Sequence, residues 1–454
     1  MKRFAKLLIA FVILPAVLPV ASYSQDTSDR PDLSALIHVN IVSMTSNHVL
    51  NDYAVVIQGN TIKEISPMST AKIIPGANII DAQGQYLLPG LIDTHTHLHI
   101  EVKALNAFVG AGVTTVFSLA GNSEILEWKN KIKAGLMIGP DIYTTGPILD
   151  GAFERPLVKV VTESEQAIHE VKDQIERGYD FIKVYSSLKQ EVYQSIIEIA
   201  REHRFPVIGH IPFQVEIDSL LTSHQKLIAH TEEFLHKFQE GFSSDRPFDF
   251  YEIDEAKAKE TARKAGGAKI FVSTTLVGFK ALIEGIENKL DLESNRNFHF
   301  FPDQMQQDWI QLIQQRRELM DAKRFDQFKK AYQFLKGYVK LLNDHGVILL
   351  AGTDTPYLPI LPGFSLHDEL QLLVDSGLTP FEALATATRN VGKFLNRTGS
   401  VGTIEIGANA NLILLEDNPL EKIEATRKIS GVLLRGQWYS RDKLIQILQE
   451  MKQR

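Results

Sequence analysis

The sequence predicts an α/β fold: a (β/α)8, TIM-like barrel with a small β-sandwich domain formed from both chain ends. Three observations predict it. Eight apolar, strand-like runs alternate with helical stretches between residues 85 and 400. Strand-rich texture with turn signals occupies both residues 35–84 and residues 401–440. Five of the eight runs carry or lead directly into histidine, lysine or aspartate, and a parallel barrel gathers its strand ends on one face, where such side chains can meet.

The elements follow in order. Residues 1–24 combine a basic start (Lys2, Arg3, Lys6), the apolar run LLIAFVILPAVLPVA and small residues before Ser24. The run is broken by Pro15 and Pro19 and is shorter than the roughly 20 apolar residues of a membrane span, so it reads as a signal peptide cleaved near Ser24 rather than an uncleaved anchor. The expected location is periplasmic or secreted. Residues 25–84 open polar and then form short strands, ALIHVNIVSM, DYAVVIQGNTIKEISP and ANIIDAQGQ, with Gly59-Asn60 as a hairpin turn. They make the first part of the sandwich. Residues 85–400 form the barrel, whose strands are expected at LLPGLID, VTTVFSLA, DIYTTG, DFIKVYSS, FPVIGHI, KLIAH, KIFVSTTLV and VILLAGTD. Helices such as ESEQAIHEVKDQIERG and KQEVYQSIIEIAREH separate them. Residues 278–345 are a helical insert between the seventh and eighth strands, expected over the barrel mouth. The last barrel helix carries a capping box, Thr379 with Glu382, and Pro380 at its first position. Residues 401–440 complete the sandwich, and residues 441–454 form a C-terminal helix.

Composition narrows the chemistry. The chain has 454 residues, 44% hydrophobic and 23% charged, which suits a globular protein. It has no cysteine, so disulfides and thiolate metal ligands are excluded. Without residues 1–24 it carries 45 Lys and Arg against 55 Asp and Glu, a balance that argues against nucleic acid as a partner. The expected partner is a small-molecule substrate. No stable membrane anchor is expected, and a homo-oligomer is compatible with this reading.

The first strand runs into His95 and His97, the fourth carries Lys183, the fifth ends in His210, the sixth in His230 and the eighth in Asp354. Alternation places His95 and His97 on one strand face, where both can reach one cation. Each residue alone has a bland explanation as a hydrogen-bonded polar group or a turn residue. As a set on five strand ends they point to a metal site.

The motifs PGLIDTHTH, GVTTV, IKVY, VIGH, IAHTEE, AGTDT and GANANLILLEDNP resemble the amidohydrolase superfamily, and are most similar to its binuclear prolidase-like and imidazolonepropionase-like metal hydrolases. The resemblance spans residues 35–440 or thereabouts. It implies two divalent ions, zinc by expectation. His95 and His97 with Asp354 would bind one, and His210 and His230 the other. Lys183, as a carbamate formed with CO2, would bridge them. A lysine with a pKa near ~10.4 cannot ligate as a cation, but burial beside dications favours the neutral amine that takes up CO2. The resemblance implies hydrolysis by a metal-bridging hydroxide, with Asp354 moving the proton. Tyr185 either donates to the oxyanion or packs the barrel. His99 either supports the ligands and touches substrate or is plain surface. Arg155 is the candidate partner for a substrate carboxylate.

Two departures from the family stand out: Asn411 where an Asp is usual, and the loop GPILDGAFERP without a glycine-histidine turn. The expected activity is cleavage of an amide, a dipeptide or an N-acyl amino acid. The alternatives are a lactonase or phosphotriesterase using the same site and, in another class, a non-catalytic barrel used for binding or assembly.

Overall fold

The computed structural model describes residues 33–72, 75–152, 156–239, 242, 252–357 and 359–452. The expected signal peptide and Arg155 lie outside the described residues. The architecture is α/β, with two parallel sheets and one mixed sheet.

The mixed sheet is assembled from both halves of the chain. Its early strands are β1 (Leu33–Val42), β2 (Val49–Gln58), β3 (Thr61–Pro67), β4 (Asn78–Asp81) and β5 (Tyr86–Pro89). The hairpin between β2 and β3 turns at Gly59-Asn60, as the sequence signals, with Gly59 at φ +56°. β1 pairs in parallel with β4 over Ser34–Ile37 and with β5 at Asn40 and Ile41.

The parallel strands come next. β6 (Leu91–Thr96), β7 (Val113–Ser118) and β8 (Asp141–Thr144) form a three-stranded sheet. β9 (Ile148–Asp150), β10 (Val158–Val160), β11 (Ile182–Val184), β12 (Val207–Gly209), β13 (Gln225–Ala229), β14 (Phe271–Ser273) and β15 (Ile348–Leu350) form a second, in the order β10-β9-β11-β12-β13-β14-β15. Two isolated parallel bridges, Thr145 to Phe181 and Thr96 to Thr355, join the two sheets. β6, β7, β9, β11 and β12 are buried along their whole length, which is why they read as near-continuous apolar runs.

Helices alternate with the strands. After β6 comes α1 (Leu105–Gly110), and after β7 comes α2 (Ser123–Lys133). α3 (Ser164–Glu176) precedes β11, α4 (Gln190–Glu202) follows it, and α5 (Ile217–Leu221) follows β12. α6 (Leu235–Phe238) and α7 (Glu255–Ala268) lie between β13 and β14. Between β14 and β15 come α8 (Leu276–Ile286), α9 (Asp303–Leu319) and α10 (Ala322–Asp344). α11 (Ser365–Asp375), α12 (Pro380–Thr386) and α13 (Arg389–Phe394) complete the set before the chain returns to the mixed sheet. The capping box forms: Glu382 N–H donates to Thr379 Oγ1 at 3.2 Å, and Thr379 N–H donates to Glu382 Oε2 at 2.8 Å. Among the described residues no helix is long and apolar enough to cross a membrane.

The apolar run at 269–277 is not all strand. β14 stops at Ser273, Thr275 takes a left-handed φ of +52°, and α8 begins at Leu276. The 278–345 segment is helical, but its parts lie in different places. α10 packs along α7, α8, α11 and β15, whereas α9 reaches the loop after β15, where Trp309 Nε1–H donates to the carbonyl of Pro356 at 2.9 Å.

The chain closes with β16 (Leu412–Leu415), β17 (Ile429–Leu434), β18 (Gln437–Ser440) and α14 (Arg441–Glu450). β16 pairs antiparallel with β5, so the mixed sheet runs β18-β17-β16-β5-β1-β2-β3. Alternation along β16 divides its burial. Leu412 and Leu414 pack with Leu36, Ile57 and Leu87, while Ile413 and Leu415 join the core beneath the parallel strands. The mixed sheet is thereby seated firmly on the part of the chain that carries the histidines.

Candidate metal centre

His95 lies in β6 and Lys183 in β11, but the other candidate ligands sit just past their strands, where the backbone is freer to aim a side chain. His97 follows β6 by one residue, and its N–H donates to the carbonyl of Thr355 at 2.7 Å. His210 follows Gly209, and His230 follows Ala229. Asp354 lies beyond β15, with its N–H donating to the carbonyl of His95 at 2.8 Å. Two of these residues have strained backbones, His230 at φ +87° and Asp354 at φ +63°. Such conformations persist where surrounding contacts over-determine them, and they cluster at functional sites.

The side chains converge. Asp354 Oδ1 is 2.9 Å from His97 Nε2 and 3.3 Å from His95 Nε2. Lys183 Nζ is 3.3 Å from the same nitrogen of His95. The His95 and His230 rings are 4.1 Å apart, and the His210 and His230 rings 5.1 Å. Ligand atoms of His95, His230 and Asp354 lie within 4.8 Å of one another. All four histidines and Lys183 are buried, while the Asp354 side chain is 28% exposed.

Electrostatics prepares this set for a cation. Burial, aided by the charges of His230 and Lys183, drives His95 well below the ordinary imidazole range. Burial also pushes His230 down to about 3. Both rings are therefore neutral near pH 7 and offer lone pairs. Burial would raise the Asp354 carboxyl, but the His97 hydrogen bond and the charges of His230, His97 and Lys183 outweigh it and hold it below its usual value. The carboxylate is thus retained as an anion beside the histidines. Among the described residues His95 Nδ1 is buried without a hydrogen-bond partner. Three nitrogen- and oxygen-type ligand atoms around one point, with a buried carboxylate and neutral imidazoles, fit a divalent ion.

Supporting contacts fix which ring nitrogen points where. His210 Nδ1 lies 2.8 Å from Ser186 Oγ and 2.9 Å from Glu233 Oε1. His230 Nδ1 lies 2.9 Å from Thr275 Oγ1. Each contact occupies Nδ1 and leaves Nε2 as the nitrogen for a ligand role. Asp93, fully buried, receives the N–H of His95 at 3.2 Å and of Thr353 at 3.1 Å on Oδ1, and the Thr353 hydroxyl at 2.7 Å on Oδ2. It ties β6 to the loop that carries Asp354. Sequence reasoning assigned none of these supports a role. Asp93 and Glu233 stand inside motifs already singled out, PGLIDTHTH and IAHTEE, whereas Ser186 and Thr275 carry no local signal.

The remaining candidates divide. The Tyr185 ring lies 3.8 Å from that of His210, beside the site. His99 is exposed and reaches Tyr357 through a 3.2 Å contact between Nε2 and the phenol oxygen. Its ring is 5.4 Å from that of His97. The alternation argument does not extend to His99, because β6 ends at Thr96. Tyr357, absent from the sequence-based set, stacks edge-on against His97 at 4.8 Å.

Comparison with known proteins shows where the chain is similar to others. The model of the amidohydrolase family matches residues 307–439. An adenine deaminase of Clostridium perfringens is 27% identical over 186 residues, covering 36% of this chain and 31% of the deaminase. The ochratoxinase of Aspergillus niger is 36% identical over 109 residues, covering 24% of this chain and 20% of the ochratoxinase. The chain thus aligns with less than a third of the length of each of these relatives. Whole-chain likeness is structural. The ochratoxinase structure superposes with a TM-score of 0.66 at 18% identity, covering 91% of this chain and 96% of that one. A Xaa-Pro dipeptidase with bound methionine gives 0.66 at 17% identity, covering 90% and 100%. Family model over residues 307–439 and shared fold point the same way: this chain is similar to proteins of the amidohydrolase superfamily.

Proposed function

We propose that the chain is an exported, metal-dependent amidohydrolase that cleaves the amide bond of a dipeptide or an N-acyl amino acid. The observation that carries this reading is the meeting of His95, His97, His230 and Asp354 around one point with Lys183 beside them. His95, His97 and Asp354 would hold one divalent ion, and His210 and His230 a second. Lys183, as a CO2-derived carbamate, would serve both. Zinc suits this set of nitrogen and oxygen donors. When bound, such a pair of ions polarises a carbonyl and lowers the pKa of a water toward ~7.

The chain's own residues do the rest. Asp354 is an anion with 28% of its side chain open to solvent, so it accepts a proton from the attacking water and returns it to the leaving amine. Tyr185 donates its phenol O–H to the developing oxyanion. Asp93 and Glu233 hold the backbone and His210 in register while charge redistributes. Arg155 is the proposed partner of the substrate carboxylate. The Xaa-Pro dipeptidase among the structural relatives supports a dipeptide substrate.

The proposal extends to architecture and location. Eight strands, β6, β7, β8 and β11 to β15, close as a (β/α)8 barrel, supported by the bridges Thr145–Phe181 and Thr96–Thr355. The mixed sheet forms the small β-sandwich domain. The apolar run of residues 7–21 supports export to the periplasm or beyond.

A hydrolysis screen of the metal-loaded protein tests the activity, using dipeptides, N-acyl amino acids, lactones and phosphotriesters. Release of amine from the first two classes is expected. Turnover confined to lactones or phosphotriesters would reassign the bond. No turnover of any class with two ions bound would favour a binding barrel.

A further inference from the structure

We infer that Glu369 on α11 is a positioning residue for His230, acting through the turn between β14 and α8, and that it sets the affinity for the divalent ion His230 would hold. This inference rests on the metal-centre reading above.

The starting point is a helix whose own cap is engaged elsewhere. A threonine before the first turn of a helix ordinarily accepts a backbone N–H of that turn with its hydroxyl. Thr275 precedes α8 but makes no such bond. Its hydroxyl instead lies 2.9 Å from His230 Nδ1. Its φ of +52° is an uncommon conformation for a β-branched residue and needs support from both sides.

Glu369 supplies that support. Its Oε2 accepts the N–H of Val277 at 2.7 Å, taking over the capping role that Thr275 does not fill. Its Oε1 accepts the hydroxyl of Thr274. One carboxylate therefore grips the residue before Thr275 and the second residue after it. Thr274 is held twice more: its N–H donates to the carbonyl of Leu350 at 3.0 Å, and its own carbonyl accepts the hydroxyl of Thr231, the neighbour of His230, at 3.1 Å. Glu369 is fully buried, and among the described residues it has no salt bridge. Burying a carboxylate without a cation is costly, and a serine or aspartate at the cap would have served α8 alone. What that arrangement would lose is the Thr275 hydroxyl on His230, which holds Nδ1 and leaves Nε2 for the ion.

The test compares wild type with Glu369→Ala, Glu369→Gln and Thr275→Val, all as full chains stripped of metal and titrated with Zn2+ and with Co2+ in bicarbonate. Equilibrium dialysis reads stoichiometry and affinity, Co2+ visible absorption reads the ligand field, and circular dichroism reads folding. Wild type is expected to bind two ions. Glu369→Ala and Thr275→Val should weaken one of them by roughly 10- to 100-fold and leave the other unchanged, the usual effect of losing a contact that orients a ligand. Glu369→Gln should stay near wild type, since its amide can accept from Val277 and donate to the Thr274 oxygen. A folded Glu369→Ala or Thr275→Val with both affinities unchanged would overturn the inference. So would equal weakening of both ions in Thr275→Val, which marks a general rather than a directed role. If wild type itself binds no divalent ion, the metal-centre reading falls, and this inference falls with it.

Discussion

In the proposed mechanism Asp354 carries two demands at one carboxylate. It must stay ionised beside a cation, yet it must also take up a proton during turnover. The structure reconciles them by placing the imidazole nitrogens of His95 and His97 around Oδ1 while leaving part of the side chain in solvent. Asp354→Asn keeps the shape and removes the basicity. It should lower kcat by ~10²–10⁴-fold with the fold intact, checked by turnover and circular dichroism; near-normal turnover would remove Asp354 from the proton path. Lys183 poses the complementary question of charge sign. Lys183→Ala should lose metal and activity, and acetate or propionate should restore part of both by supplying an anion in the vacated space. Retained activity in Lys183→Arg would reassign the bridge, because a guanidinium does not take up CO2. The six candidate ligands were readable in the sequence because histidine, lysine and aspartate at strand ends leave a spaced pattern. Ser186, Thr275 and Glu369 were not, because they are ordinary polar residues that the fold brings to the histidines from other elements.

At the scale of elements, short strands end early and loops do the aiming. Gly209 shows how tightly. At φ +131°, a Cβ there would sit 2.1 Å from the carbonyl oxygen of Val184, the neighbour of Lys183. Gly209→Ala should therefore force β12 away from β11 and cost about 1–3 kcal/mol, measurable by urea unfolding. Wild-type stability in that variant would show that β12 has room to move. α9 offers a second case. Trp309→Phe keeps the aromatic packing with Phe298 and Phe301 but removes the bond to Pro356, two residues beyond Asp354. Losing one such bond, worth ~0.5–1.5 kcal/mol, should raise KM roughly two- to tenfold with little change in unfolding temperature. An unaltered KM would separate α9 from the site. Hydrophobic period disclosed the alternation of strands and helices, yet it could not divide KIFVSTTLV. An apolar, β-branched run suits a buried strand and the buried start of a helix alike, and only the left-handed Thr275 marks the break.

Across the whole molecule, one buried ring joins distant parts. His367 on α11 reaches the carbonyl of Ala111 through Nε2 and Thr426 Oγ1 through Nδ1, both at 3.0 Å, so it links the end of α1 to the segment before β17. Burial, with the charge of Arg427, pushes its pKa down to about 3. The unfolded chain binds the proton near 6.5, so between the two values the unfolded state holds more protons and stability falls as pH falls. The slope approaches about 1.4 kcal/mol per pH unit inside that window. His367→Gln removes the titration. It should be less stable than wild type at pH 7, with a margin that shrinks as urea midpoints are followed down toward pH 4. A constant margin would mean that His367 does not titrate on unfolding.

The pairing of β5 with β16 has a consequence for how the chain is made. Pro89 meets Leu412 across the ladder, so the seat of the last strands is synthesised long before its occupant. Until residues 412–415 emerge from the ribosome, β5 presents an unpaired edge lined by Leu87 and Leu88, the kind of edge that recruits foreign strands. Contacts so far apart in sequence form late and slow the search for the native state. Chains released before Leu412 are expected to appear as aggregates rather than as shorter soluble folds, so expression of C-terminal truncations should divide between pellet and supernatant at this one strand.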